Sequence, residues 1–589
     1  MILQALCDYY ERKPDLPRLG FETKAIPFVI VLNSAGQLVQ IEDTRHIEGK
    51  KKIARNFLMP QGVKKTFGVA ANLLWDNAEY VLGVTRSGKP DRVQEQHAAF
   101  QAKLKAEQLL AKRKQKVQKQ HAAFQAKLKA LADKTDDAGL TVVRSFLESP
   151  DRMRLEADPL WPEILEINPV LTFRLNGELE LVCQRPAVRA VLEDADTDAE
   201  EITCLISGEQ DGFERLHTSI KGVWGAQTSG ANIVSFNKDA FNSFGKEQGS
   251  NAPIGKRAAF AYTTALNYLL SKESTQRIQV GDASTVFWSE KHTDFEDTFA
   301  DLFDEPPKDD PAKQTRAIEA LFKAPQTGAL SNKGDKTCFY VLGLAPNAAR
   351  ISVRFWQVGT VAEMSARIRQ HFEDLEIIHA SFEKPHLSLF RLLVSTASQG
   401  KSDNIPPNLT GEFMRAILAG LPYPQTLLQA VVRRIRAERE VTYPRTALIK
   451  ACINRQARYS PSQEKEIAVS LDDSNTNPGY RIGRLFAALE KAQEDAVNPS
   501  ATIRDRFYGA ASSSPVTVFA NLMKLKNHHL AKLEEGRKRY FEKLIGQIMS
   551  EINDFPAHLS LADQGRFAIG YYHQRQAFFT KSGSTTKGE

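Results

Sequence analysis

The stretch NPGYRIGRLFAALEKAQEDAV, residues 477–497, opens with an asparagine and a proline and continues with regularly spaced apolar residues. An asparagine side chain caps a helix start, and a proline in the first helical position loses no hydrogen bond. The apolar residues recur at intervals of three and four: Ile482, Leu485, Phe486 and Leu489. This spacing places them on one face, so the stretch predicts an amphipathic helix from Pro478.

Start signals of the same kind recur further along the chain. Asn498-Pro499 and Ser514-Pro515 each predict another helix start, and a last helix is predicted from about Ser560. Two further stripes accompany the last two starts: Val518, Leu522 and Leu525, then Phe567, Tyr571 and Phe578. Short connections between amphipathic helices are typical of an antiparallel bundle. We assign the aromatic stripes to its core rather than to a cofactor site.

Upstream of the bundle, strand signals are mixed with helical ones. IPFVIVL from Ile26, a turn and QLVQIED are interpreted as a β-hairpin. LTFRL, Asn176-Gly177 and ELELVCQ are interpreted as a second one, since Asn-Gly suits a tight hairpin turn. Two acidic stretches, residues 191–201 and 294–311, are interpreted as solvated loops.

These patterns together predict an α+β fold. We expect an irregular mixed α/β body over residues 1–400, a helical connecting region over 401–468 and an antiparallel helical bundle over 469–589. Within the first part, residues 93–130 form a duplicated basic helical insertion.

Length and composition indicate a globular protein of several domains. With 589 residues, 42% of them hydrophobic and 25% charged, the chain can bury a large core. It lacks a signal-like N-terminus and any run of 18 apolar residues, so we expect a cytoplasmic protein with no membrane partner. Five scattered cysteines predict neither a disulfide framework nor a zinc site. The net charge of +7 is compatible with a polyanionic partner.

One sequence occurs twice, as VQEQHAAFQAKLKA in residues 93–106 and VQKQHAAFQAKLKA in residues 117–130. A solenoid needs a third copy, and none follows. A 24-residue offset is about 6.7 helical turns, so the two copies face different sides of one straight helix. The unopposed lysines leave two interpretations open: contact with phosphates, or a duplication in an exposed helix.

A loop rich in glycine, asparagine and lysine, FNSFGKEQGSNAPIGKR, precedes a helical segment. It does not match a nucleotide-hydrolysing phosphate loop, because five residues separate Gly249 from Gly255 and Arg257 replaces the Ser or Thr that binds magnesium. Its glycines, its cations and the helix N-terminus still suit an anion such as a phosphodiester backbone. A tight structural turn is the alternative.

Catalytic motifs are missing from the sequence. It contains no HExxH, GxSxG or CxxC, and DDSNTNPG fails as a calcium loop because Pro478 takes the place of the required glycine. We therefore predict no catalytic residues, no metal site and no cofactor.

Several long stretches resemble the large subunit of the type I-C CRISPR Cascade surveillance complex. They are MILQALCDYYERK with IPFVIVL, ANLLWDNAEYVLGV (71–84), IKGVWGAQTSGANIVSFN followed by FNSFGKEQGSNAP, FYVLGLAPNAARISVRFW (339–356) and MRAILAGLPYP (414–424). The resemblance implies a non-catalytic subunit that recognises the protospacer-adjacent motif (PAM) on double-stranded DNA, helps to form the R-loop and recruits the helicase-nuclease. It also implies CRISPR guide RNA and the Cascade backbone and guide-processing subunits as partners.

The resemblance also identifies the second repeat copy, which runs into the KTDDAGL turn, as the helix that belongs to the family. The C-terminal bundle resembles the small subunit of the complex, which in this family is often also translated from the same gene. Val469, just before the first helix cap, is a candidate internal start for such a product.

Three groups of residues are the candidates for nucleic-acid contact. Duplex DNA is assigned to Lys64, Lys65 and Asn72, with the alternatives that the lysines contact only phosphate and that Asn72 caps a turn in the core. A loop facing either the PAM duplex or the guide RNA is assigned Asn237, Lys246, Gln248, Asn251 and Lys256. The displaced strand is assigned to the basic bundle surface: Lys524, Lys526, Lys532, Arg537, Lys538 and Arg539.

Two other classes of function remain open at this stage. One is a metal-dependent nuclease whose carboxylates meet only in the fold, with Asp76, Asp211 and Asp282 as possible ligands. The other is a purely structural scaffold that binds neighbouring subunits without touching DNA.

Overall fold

The computed structural model describes residues 1–49, 51–63, 65, 68–85, 99–194, 201–327, 336–460 and 465–579. Contacts between residues divide the chain into two compact units. The large unit comprises Met1–Arg12, His217–Asp239 and the chain from Ala265 onward, and the small unit comprises Lys13–Leu216 and Ala240–Thr264. The boundaries expected at residues 400 and 468 both fall within the large unit, and the three-part division stays a prediction.

The described chain mixes strands with a larger share of helix, which confirms the α+β class. The strands are β1 Phe21–Ala25, β2 Phe28–Leu32, β3 Leu38–Asp43, β4 His46–Glu48, β5 Lys51–Ile53, β6 Asn56–Pro60, β7 Trp75–Asn77, β8 Val170–Leu175, β9 Glu201–Thr203, β10 Gln210–Gly212, β11 Arg277–Val280, β12 Ala283–Ser289, β13 Cys338–Asn347 and β14 Arg350–Thr360. The helices are α1 Ile2–Arg12, α2 Ala78–Val81, α3 Ala99–Ala132, α4 Ala138–Glu148, α5 Trp161–Ile167, α6 Pro186–Asp194, α7 Lys256–Leu269, α8 Asp294–Phe303, α9 Lys313–Thr327, α10 Val361–Leu375, α11 Leu389–Val394, α12 Pro407–Ala419, α13 Gln425–Glu438, α14 Tyr443–Tyr459, α15 Pro478–Val497, α16 Ile503–Ala511, α17 Val516–Leu530, α18 Glu535–Met549 and α19 Leu561–Phe579. Within the described ranges, none of these helices has the length and apolarity needed to cross a bilayer.

A four-stranded sheet in the order β3-β2-β8-β7 forms the centre of the small unit. All five residues of β2 are buried, as their uninterrupted apolar run leads us to expect. The strand pairs antiparallel with β3, which confirms the first predicted hairpin, and parallel with β8.

The second predicted hairpin is reduced to a single bridge, in which Arg174 pairs antiparallel with Leu181. Beyond the turn at Asn176-Gly177 no strand follows, and Val182–Gln184 form a short 3₁₀ turn instead. β7 pairs only with Val170–Thr172 of β8, so the edge of β8 near the turn is not filled, but after Leu181 the chain enters the 3₁₀ turn instead of continuing along that edge. The apolar residues Leu181, Val182 and Cys183 instead enter the core of the small unit.

A second sheet, in the large unit, runs antiparallel in the order β11-β12-β13-β14. Every residue of β12 is buried, and Phe287 on this strand packs against Phe299 of α8. The acidic stretch 294–311 is therefore not simply a solvated loop, since its first ten residues form α8. The Thr293 side chain caps this helix, and its buried Phe residues alternate with the acids that had suggested a loop. In the other acidic stretch, residues 191–194 belong to α6.

The region from residue 404 is helical as predicted, and the first helix of the predicted bundle begins where its cap indicates. The Asn477 side chain accepts a hydrogen bond of 3.1 Å from the backbone N–H of Tyr480, so α15 starts at Pro478. The second start is wrong, because Asn498 ends α15 in the left-handed conformation and Thr502 caps α16. The third lies one residue late, at Val516.

The last helix, α19, begins after Ser560, whose hydroxyl accepts a hydrogen bond from the backbone N–H of Asp563. Phe567 and Tyr571 are buried, which confirms that this aromatic stripe belongs to the core. Two glycines, Gly483 of α15 and Gly570 of α19, let the two helices cross at close range. A Cβ atom on either one would lie far inside van der Waals distance of a carbonyl oxygen on the other helix.

From Ala99 onward, the duplicated segment lies in one uninterrupted helix of 34 residues, α3. Phe124 and Leu128 of the second copy are buried in the core of the small unit. In the first copy, residues 93–98 and the side chains of residues 99–108 lie outside the described part of the chain. The helical form predicted for 93–130 is confirmed where it is described, and the second copy supplies core contacts.

We expect Gly570→Ala to destabilise the large unit by about 3 kcal/mol or more, because the new methyl group meets backbone that cannot rotate away. Gly546→Ala in α18 is the matched control, since no heavy atom lies within 4 Å of its added Cβ. It should be neutral or stabilising by up to about 1 kcal/mol. Urea unfolding followed by circular dichroism measures both, and equal midpoints for the two variants would contradict the close crossing.

Candidate nucleic-acid interface

Asn72 lies in the segment that leads into β7, and it is buried, with only 5% of its surface exposed. Its Oδ1 accepts a hydrogen bond of 3.0 Å from the backbone N–H of Val63. Its own backbone N–H donates to Oδ2 of Asp76 at 2.9 Å. In this conformation Asn72 fixes the neighbouring loop, as the core-capping alternative expects, and direct base contact by Asn72 stays a prediction.

The carboxylate of Asp76 is the anchor of this region. Its two oxygens lie 2.5 and 2.6 Å from Nζ of Lys65, and Oδ1 also accepts a hydrogen bond from the backbone N–H of Asn77. The Lys65 ammonium lies 3.8 Å from the centre of the Tyr80 ring. Asp76 is 3% exposed but Lys65 is 31% exposed, so solvent and ligands can reach only the lysine. Lys64 lies outside the described residues.

The second repeat copy contributes Lys127, one of the repeat lysines for which contact with phosphate was left open. Partial burial lowers the pKa of Lys127. The negative charge of Asp76 raises this pKa, and the positive charge of Lys65 lowers it further. Lys127 and Lys65 are therefore close enough for each to sense the other's charge, and both sense the carboxylate of Asp76. The repeat marks Lys127 in the sequence, but 62 residues separate it from Lys65, so the sequence does not show that the two lysines are close.

The predicted loop around Lys246 is organised by the side chain of Asn251. Oδ1 of Asn251 accepts a hydrogen bond of 2.9 Å from the backbone N–H of Ser243. Its Nδ2 donates to the carbonyl oxygens of Lys246 and Gln248, at 3.2 and 3.0 Å, and to the side chain of Asn242. Asn251 thus closes the loop from within, and contact of nucleic acid by Asn251 stays a prediction.

Lys246 and Gln248 occupy different environments on this loop. Lys246 is exposed to solvent. Gln248 is half-buried in the left-handed conformation, and its Oε1 is buried without a hydrogen-bond partner among the described residues. Lys246 is therefore the residue that the loop presents for an electrostatic contact.

The helix N-terminus behind this loop already holds a carboxylate. At the start of α7 the backbone N–H of Arg257 donates to Oδ2 of Asp211 at 2.9 Å. Asp211 packs so closely on Gly255 that an added Cβ would collide with it. The anion that we expected at this helix N-terminus is thus a side chain of the protein, and Gly255 serves a tight structural turn.

The remaining candidates of this group are Lys256 and Asn237. Lys256 is the first residue of α7 and is half-buried. Asn237 belongs to the large unit, where it is exposed and its Oδ1 accepts a hydrogen bond of 2.7 Å from Arg350.

On the predicted basic surface of the C-terminal helices, the two arginines form ion pairs, whereas the four lysines form none within the described part of the chain. Arg537 forms an ion pair of 2.6 Å with Asp495 and lies over the rings of Tyr540 and Phe541. Arg539 pairs with Glu535 at 3.1 Å, where both side chains are exposed. The lysines lie on α17, on α18 and between them: Lys524, Lys526, Lys532 and Lys538. Lys524 and Lys532 are exposed and are the residues best placed for a phosphate.

The three aspartates considered as nuclease ligands are each engaged with a different partner. Asp76 pairs with Lys65, Asp211 caps α7, and Asp282 pairs with Arg354 at 2.6 Å. Across the ranges that the structure describes, no cluster of three or more His, Cys, Asp or Glu side chains could hold a metal ion.

A family model of CRISPR-associated proteins, Cas_Csd1, matches residues 6–579 of the chain. The match covers nearly the whole sequence and confirms the resemblance to a Csd-type CRISPR-associated family. No curated protein matches the chain.

We expect Asn72→Ala to destabilise the small unit by about 1–3 kcal/mol, because the Val63 N–H loses its acceptor inside the protein. Hydrogen exchange at Val63 should accelerate with it. Asn237→Ala is the control, since the amide it removes is exposed, and its effect should stay within about 0.5 kcal/mol. Unchanged exchange at Val63 in Asn72→Ala would contradict the positioning role.

Proposed function

The chain belongs to the Cas_Csd1 family of CRISPR-associated proteins, and from this membership we propose that it is the large subunit of a type I-C Cascade complex. In this role it recognises the PAM on double-stranded DNA, helps to form the R-loop and recruits the helicase-nuclease, without catalysis or a cofactor of its own. The observation that carries the proposal is the family match from residue 6 to residue 579.

The loop closed by Asn251 supports this proposal in physical terms. A loop held by its own side chain keeps its shape before a ligand arrives, which lowers the entropic cost of binding. Lys246 is the cation on this loop that reaches solvent. Phosphate contacts of this kind position a protein on nucleic acid, while base contacts provide sequence preference.

A second basic surface supports it as well. Lys65 pairs with the buried Asp76 carboxylate, Lys127 senses the charge of both groups, and a phosphate backbone would attract both lysines. In our proposal these lysines hold the duplex, and Asn72 holds the segment that carries Lys65 in place. This keeps the assignment of this region to duplex DNA and gives Asn72 an indirect part in it.

The other partners follow from the proposed role. We infer that guide RNA, the backbone and guide-processing subunits and a small subunit complete the assembly, with Val469 as the candidate start of the small subunit. The exposed lysines of α17 and the turn after it, Lys524 and Lys532, suit the displaced single strand, because a basic groove follows a single-stranded backbone without reading its sequence. No contact among the described residues favours the nuclease alternative.

The test is target binding by the complex reconstituted with guide RNA, measured at several salt concentrations over a library of flanking motifs. We expect Lys246→Ala to weaken binding to all flanks alike and to lower the slope of log affinity against log salt by about 1. Gln248→Ala should flatten the preference between flanks. Lys308→Ala is the matched control, because this exposed lysine lies among acids in residues 294–311 and should bind as wild type.

Each alternative has its own outcome in the same experiment. Wild-type binding by both Lys246→Ala and Gln248→Ala would favour a scaffold that does not touch DNA. Magnesium-dependent cleavage by the pure protein would favour a nuclease. Loss of flank preference in wild type itself would overturn the proposed function.

A further inference from the structure

The tip of the loop closed by Asn251 is a tight turn with an unusual residue in it. The backbone N–H of Lys246 donates to the carbonyl oxygen of Ser243 at 3.0 Å. The two residues between them, Phe244 and Gly245, have positive φ angles of 53° and 71°. A turn with two positive φ values is the place for glycine, asparagine or aspartate, and a bulky phenylalanine is strained there.

The phenylalanine gains nothing from the fold to offset that strain. It is 97% exposed, so its ring touches almost no other atom of the protein. An exposed aromatic ring and a strained backbone at the same residue are both unfavourable for the isolated chain. Strained residues of this kind cluster at binding and catalytic sites, where the surroundings hold them in place.

The surroundings of Phe244 do hold it in place. Besides the bonds from Asn251, the loop is seated on the segment before it, since a Cβ added at Gly249 would lie 2.6 Å from the carbonyl oxygen of Arg215. Backbone hydrogen bonds from Leu205 to Pro253 and from Glu214 to Ile254 fix the chain just beyond the loop. Phe244 is therefore presented on a fixed base rather than on a mobile segment.

The residues beside Phe244 decide which kind of ligand suits it. Asn242, Ser243, Lys246 and Glu247 are exposed and polar, Gly245 has no side chain, and the apolar Phe241 is 36% exposed. A protein partner needs a contact patch of about 800 Å² on each side, whereas one ring is enough to cover the flat face of a nucleobase. Lys246, two residues further on, supplies a cation for the adjoining phosphate.

We propose that Phe244 stacks on an unpaired nucleobase while Lys246 contacts the phosphate next to it. The inference rests on the proposed function, because it takes the base from the nucleic acids of the complex, either the target DNA or the guide RNA. Stacking depends on the face of the base and tolerates any sequence. Phe244 therefore strengthens binding without choosing the flank, and this separates its role from that of Gln248.

The experiment places the fluorescent base 2-aminopurine at unpaired positions, in the target DNA of one set of complexes and in the guide RNA of another. Stacking on an aromatic ring quenches its emission. We expect Phe244→Ala and Phe244→Leu to lose the quenching and about tenfold in affinity, and Phe244→Trp to keep both. The label that responds identifies the source of the base.

Phe244→Asn separates binding from folding. Asparagine suits a positive φ, so this variant should unfold at the same or a higher urea concentration than wild type and still lose the quenching. A lower unfolding midpoint in this variant, with quenching kept, would mean that Phe244 serves the fold.

The remaining outcomes distinguish this inference from the proposed function. Wild-type quenching and affinity in Phe244→Ala, in a complex that still prefers certain flanks, would overturn the inference alone. A stable Phe244→Ala protein that fails to join the complex would indicate a protein partner and overturn it too. If the wild-type complex shows no flank preference, the same labelled single strands with the isolated protein still decide whether Phe244 stacks on a base.

Discussion

The small unit depends on one buried carboxylate in the last strand of its sheet. Asp76 accepts hydrogen bonds from the Lys65 ammonium and from the backbone of Asn72 and Asn77, so both of its oxygens are satisfied away from water. A buried charge is tolerated only when it is paired and hydrogen-bonded in this way. The carboxylate consequently joins the loop before β7, the strand itself and α2 into one rigid region. The buried Asp76, which a ligand cannot reach, thus fixes the position of the exposed lysines of that region.

The same division between a buried organiser and an exposed contact residue recurs in the loop of Asn251. One amide there satisfies several backbone groups and leaves Lys246 and Phe244 facing solvent. In both sites, a polar side chain that a ligand cannot reach supports the exposed residues that a ligand can reach. Variants of the supporting residues Asp76 and Asn251 should therefore change the shape of the site. Variants of the exposed contact residues should change only its affinity.

The sequence predicted best those features that depend on residues close together along the chain. The cap at Asn477 and the apolar stripe behind it define α15 within a few turns, and the hairpin of β2 and β3 needs only its own turn. The second hairpin stops at one bridge, Arg174 to Leu181, because Leu181, Val182 and Cys183 enter the core instead of extending along β8. Asn498 was misassigned because asparagine suits both a helix start and a left-handed helix end.

For the site, composition identified the exposed lysines but not their surroundings. Asp211 reaches the start of α7 from 46 residues away, and the fold brings Lys127 within range of the Lys65 charge, so neither interaction leaves a local pattern. The strain at Phe244 is likewise invisible in the letters of the sequence, because phenylalanine beside glycine is compatible with many conformations. Backbone angles and long-range contacts carry the information that spacing does not.

The position of the packed repeat copy within α3 explains how the gene tolerated a duplication there. Residues inserted before Val117 lengthen α3 at its N-terminal end. They do not rotate the part from Val117 to Ala132 that packs against the core. An addition of 24 residues corresponds to about 36 Å of helix. Such a helix is a tolerant point for natural length variation and for the insertion of a tag or a reporter domain.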